Sequence, residues 1–159
     1  MQRTLVVVFL VLLLSLPLVA QKAQVFGGYQ YTRLDGGVNM NGWNGSLTGN
    51  LNKWFGVSGD FSGVYKSGVH FHTYTFGPVL TAHTPMLQPF VHALVGGGTF
   101  SGGGASTTGL IVYAGGGLDV GSKHGFGIRI AQADWMLTRF SGFTDKNNVR
   151  VSAGIVLKF

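Results

Sequence analysis

The chain ends Ser152-Ala153-Gly154-Ile155-Val156-Leu157-Lys158-Phe159, SAGIVLKF, with a phenyl ring as its last side chain. Ser152, Gly154, Val156 and Lys158 alternate there with Ala153, Ile155, Leu157 and Phe159, the period of a strand with one apolar face. A chain terminus ordinarily frays unless something ties it down. A strand pattern carried to the final residue therefore predicts a partner strand. The first patterned segment, Val25 to Leu34, is the one that would close a sheet on itself.

Six further segments lie between, making eight with Val25 to Leu34 and Val149 to Phe159. They are Gly42 to Asn52, Phe55 to Tyr65, Phe71 to Thr81, Pro89 to Phe100, Thr108 to Val120 and Phe126 to Thr138. The clearest is Gly42 to Asn52, where Trp43, Leu47 and Leu51 share one face and Asn44, Ser46, Thr48 and Asn50 the other. In Phe55 to Tyr65, Val57, Phe61 and Tyr65 oppose Ser58, Asp60 and Ser62. The short Asn52-Lys53-Trp54 step between these two predicts a tight hairpin. In Phe126 to Thr138, Ile128 and Ile130 have one parity and Trp135 and Leu137 the other, so a bulge is expected near Gln132. Such segments exceed the usual length of soluble strands, about 5–6 residues, and match the roughly 9–11 of a tilted membrane-spanning strand.

Composition agrees with strands that face lipid. Only 10% of the 159 residues are charged, none is Glu, and 27 are Gly; a soluble domain averages about 25% charged. Lipid satisfies no backbone group, so a chain without spanning helices can cross it only as a closed barrel. The glycines at 27–28, 96–98 and 115–117 fall within segments and suit a strongly curved sheet. The net charge of +6, or +5 without Arg3, is scattered rather than clustered, so nucleic-acid binding is not expected. No cysteine is present for disulfides.

The first residues read differently. Arg3 precedes an apolar run from Leu5 to Leu14, and Pro17 and Ala20 close a stretch too short for the roughly 20 residues of a spanning helix. Residues 1–20 are expected to be a cleaved secretory signal, with cleavage after Ala20 or Ala23. Residues 21–159 are then the exported domain. An even number of strands puts both ends of the barrel chain on one side, the periplasm. Connections at 53–54, 82–88 and 121–125 belong to that side, and those at 35–41, 66–70, 101–107 and 139–148 face outward.

Ser152, Gly154, Leu157 and Phe159 resemble the C-terminal assembly signal of bacterial outer-membrane β-barrels. The layout resembles the small eight-stranded outer-membrane family typified by the membrane domain of outer-membrane protein A. The resemblance implies an all-β, eight-stranded antiparallel up-and-down barrel in the bacterial outer membrane. It also implies outer-membrane lipids, lipopolysaccharide and the barrel-assembly machinery as partners, with a monomeric chain.

The candidate site is the lumen. Asp60 and Asp134 should point inward and pair with Arg129, Arg150 or Arg33, because an unpaired buried carboxylate is costly. Eight strands leave an interior just wide enough for side chains, so a static polar plug is expected, with a narrow passive pore as the alternative. Trp43, Trp54, Trp135, Tyr65, Tyr74, Phe90, Phe140 and Phe159 are expected to form interfacial belts. His70 and His72 share a face, but with no third ligand nearby neither a metal nor a cofactor is expected. Lipid-modifying enzymes exist on such barrels; the His-x-Ser pair that would activate a hydroxyl is absent, and no catalysis is expected. A soluble lipocalin-like barrel would show the same alternation inside out; low charge and the terminal signal argue against it.

Overall fold

A computed structural model of the chain describes residues 23–121 and 124–159. Eight strands follow in order: β1 (Ala23–Leu34), β2 (Val38–Asn50), β3 (Phe55–Lys66), β4 (Val69–Thr81), β5 (Leu87–Gly102), β6 (Ala105–Gly121), β7 (Gly125–Phe140) and β8 (Phe143–Lys158). Each pairs antiparallel with its neighbours in sequence, and β8 pairs with β1, so the sheet closes into an up-and-down barrel. The expected signal segment, 1–20, lies outside the described residues.

The seam between β1 and β8 runs from Gln24↔Lys158 to Arg33↔Val149. Beyond it the Phe159 amide donates to the Ala23 carbonyl at 2.8 Å, so the final residue is held by the first strand. At mid-seam Gly28 faces Gly154. A Cβ on Gly154 would lie 2.3 Å from the Gly27 carbonyl oxygen and 2.4 Å from Gly28 Cα. Closure at that spacing requires glycine.

Every expected segment is a strand, and most run further than the sequence pattern indicates. β8 begins at Phe143 rather than Val149, and the expected connection 139–148 shrinks to 141–142. The physical reason is exposure: 103–108 and 141–147 are open to their surroundings on both faces, so nothing selects an alternation there. At the end away from the termini, Ser67-Gly68, Gly103-Gly104 and Ser141-Gly142 all have positive φ at both positions. These are type I′ hairpin turns, whose twist matches that of paired strands.

The two faces are inverted relative to a soluble protein. Among the described residues, twenty polar or charged side chains are buried against eleven apolar ones. The outside carries Leu47, Phe61, Phe76, Leu80, Ile128, Ile130 and Ile155, all at least half exposed. The two runs of opposite parity in β7 are reconciled by a bulge at Ile130-Ala131. Asp119↔Arg129 is followed by Leu118↔Ala131, and Arg129↔Gly154 by Gln132↔Ser152. Both bulge residues point outward, so Arg129 and Gln132 both point in.

Candidate functional site: the barrel lumen

The lumen has two storeys. Toward the turn end, Met40, Val64, Phe71, Leu94, Ile111, Tyr113 and Met136 form a buried apolar cluster, with Leu34, Val69, Phe100 and Phe140 packed on it. Phe71 stacks against Phe100 with ring centroids 4.9 Å apart. Phe140, expected in a belt, instead meets both rings from the edge. The expected polar plug is thus apolar in this half. Bulky side chains from neighbouring strands meet near the barrel axis, and the narrow interior leaves them nowhere else to pack.

Below this layer the lumen is ionic. The Arg150 guanidinium, 0% exposed, donates from Nη1 to Asp60 Oδ1 at 2.6 Å and from Nε to Asp134 Oδ2 at 2.7 Å. Its carbon lies 3.8 Å from the centroid of the Tyr113 ring, between the storeys. Asn44 donates to Asp60 at 3.0 Å, and His92 Nε2 is 2.7 Å from Asp134 Oδ1. A second pair lies nearer the termini. There Arg129 donates from Nε to Asp119 Oδ1 at 2.7 Å and from Nη2 to Oδ2 at 3.1 Å. The Phe26 and Phe90 rings sandwich its guanidinium, each centroid 4.2 Å away. Gln132 joins the pairs, accepting from Arg129 Nη1 at 2.6 Å and donating to Asp134 Oδ2 at 2.8 Å. Lys158 donates to Gln88 at 2.7 Å at the terminal mouth.

Three carboxylates therefore meet Arg150, Arg129 and the nearby Lys158, a balance that low-dielectric burial demands. Beneath Arg150 a cavity of about 10 Å³, bordered by Ser46, Thr48, Ser58, Asp60, His92 and Arg129, has room for about one water molecule.

The structure brings together four of the five expected charges, Asp60, Asp134, Arg129 and Arg150. Arg33 does not join them. The buried side chains of β1, Phe26, Gln30 and Thr32, all point inward, and Arg33 has the opposite parity, exposed between Asn39 and Val149. The period of two along β1 turns its side chain away from the lumen. Asp119, His92 and Gln132 complete the network, and the sequence pattern does not mark them. Asp119 follows Gly115-Gly116-Gly117, a run with no side-chain contrast to set a parity. Phe90, expected in a belt, points inward onto Arg129. At the chain end Ser152 is buried while Leu157 and Phe159 are exposed, so the expected signal residues divide between the faces. Among the described residues no group of three or more His, Asp or Glu could hold a metal.

No family model and no curated protein matches the chain. Solved structures do. Neisserial surface protein A superposes with a TM-score of 0.70 at 14% identity, covering 87% of this chain and 97% of that one. The N-terminal β-barrel domain of Pseudomonas aeruginosa OprF gives 0.59 at 16% identity, over 87% and 97%. Ail, the attachment invasion locus protein of Yersinia pestis, gives 0.52 at 21% identity, over 86% and 99%. The fold is that of the small eight-stranded outer-membrane barrels.

Proposed function

We propose that the chain is an integral protein of the bacterial outer membrane with a structural envelope role, sealed to solutes. One observation carries this reading: an apolar exterior surrounds a lumen filled by the Met40–Phe71–Met136 layer above and the Arg150 and Arg129 ion pairs below. The exterior fits a hydrocarbon surround, since lipid-facing and lumen-facing residues alternate in such barrels. The filled lumen supports a seal over the narrow pore. The C-terminal strand, with Ser152, Gly154, Leu157 and Phe159, is the part offered to the assembly machinery, and lipids with lipopolysaccharide are the barrel's neighbours. The reading assigns no catalysis: His92 is committed to Asp134 inside the lumen, away from any lipid substrate.

Planar-bilayer recording tests the seal. The wild-type barrel is expected to give no discrete conductance steps. Replacing Met40, Phe71 and Met136 together by Ala should introduce them. Steps from the wild type, altered by Asp60→Ala, would make the pore the correct reading.

A further inference from the structure

Three polar atoms from three strands converge on one point of the barrel's outer surface. Gly63 stands opposite Trp43 on β2 and His72 on β4. Over its bare Cα lie Trp43 Nε1, Tyr65 Oη and His72 Nδ1, at 2.8, 2.8 and 2.9 Å from where a Cβ would sit. Trp43 Nε1 donates to the Tyr65 hydroxyl at 3.2 Å. That leaves the phenol its own hydrogen to give. The His72 and His70 rings stand edge-on to Tyr65, with centroids 5.6 and 5.3 Å away. Trp43 and Tyr65 are both exposed.

We propose that this convergence over Gly63 binds the phosphate of a lipid headgroup. The assignment rests on the membrane reading above, which makes lipid the neighbour of this surface. The group has the chemistry of an anion site. The single indole N–H is spent on the Tyr65 oxygen, which leaves the phenol hydrogen to give, and an imidazole can donate beside it. Its level is that of a headgroup. Leu47, Phe61 and Phe76 lie below it on the same strands, and Asn39, Asn41 and the chain turn lie above. Charge is complementary: Arg33, Lys66, Arg139 and Lys146 outnumber Asp35 and Asp145 toward the turn end. There is also space for a tail. Below the cluster, a Cβ on Gly45, Gly49 or Gly59 would meet nothing closer than 3.6 Å, so an acyl chain can lie flush against the backbone between Leu47 and Phe61.

Native mass spectrometry of the refolded barrel, released from detergent with phosphatidic acid, diacylglycerol or inorganic phosphate, tests the site. The wild type is expected to retain one phosphatidic acid. Tyr65→Phe combined with His72→Leu should weaken retention by about thirtyfold, the scale of two net hydrogen bonds. Gly63→Ala, which removes no donor but pushes the three heads apart, should do the same. Equal retention by these variants overturns the site. So does equal retention of diacylglycerol, which would leave only an apolar belt, or of inorganic phosphate, which would make it a soluble-anion site. Insertion into vesicles, followed in the same preparations, separates the outcomes: intact insertion without phosphate selectivity sinks this site alone, and failed insertion sinks the membrane reading beneath it.

Discussion

Arg150 answers two carboxylates on different strands, Asp60 and Asp134, from a position with no access to solvent. Removing one member of such a set strands the others. Arg150→Met is therefore expected to cost about 3–5 kcal/mol, read as a lowered urea midpoint of the barrel refolded in detergent. Arg33→Ala should change the stability read from that midpoint by less than about 0.5 kcal/mol, as a surface change does. A large loss at Arg33 would contradict its outward placement. The contrast also marks what single residues reveal. Asp60 and Arg150 sit between apolar neighbours of opposite parity, Phe61 for one and Val149 and Val151 for the other, so their direction was legible. Asp119 follows a glycine run that carries no such signal, and Arg33 has the parity of the outward face of β1.

At the scale of the strand, the β7 bulge decides which side chains enter the lumen. Arg129 faces in, Ile130 and Ala131 both face out, and Gln132 faces in again. Deleting Ala131 restores plain alternation with every inward residue kept, so this variant should still fold and migrate anomalously on unheated SDS gels. Deleting Ile128 instead lets the bulge absorb the change by turning Arg129 outward and Ile130 inward. A cation at membrane depth costs about 2–4 kcal/mol, and Asp119 loses its partner as well. That variant should lose the gel shift; equal behaviour of the two deletions would contradict the bulge. The bulge was readable because apolar residues of two parities flank it. The strand ends were not, because the tips at 103–108 and 141–147 bury neither face and polar residues there obey no period.

For the molecule as a whole, periodicity left one question open: which face of the barrel is inside. Alternation is the same in a lipid-facing barrel and in a soluble one that binds a lipophilic ligand, and only low charge and the terminal strand spoke for the former. Burial gives the direction, with Arg150, Asp134 and Gln132 enclosed and Phe76 65% exposed at mid-strand. The apolar layer of the lumen was not legible, because Met40, Phe71, Ile111 and Met136 come from four different strands and meet only after closure. The inverted faces are the central claim, and one measurement addresses them directly. In a background with Trp43, Trp54 and Trp135 replaced by Phe, a single tryptophan at Phe76→Trp is reconstituted in vesicles of lipids brominated at mid-chain. Strong quenching by the brominated chains with little quenching by aqueous acrylamide is the predicted result. Ready quenching by acrylamide with no response to the brominated lipid would contradict a barrel that wears its apolar face against the membrane.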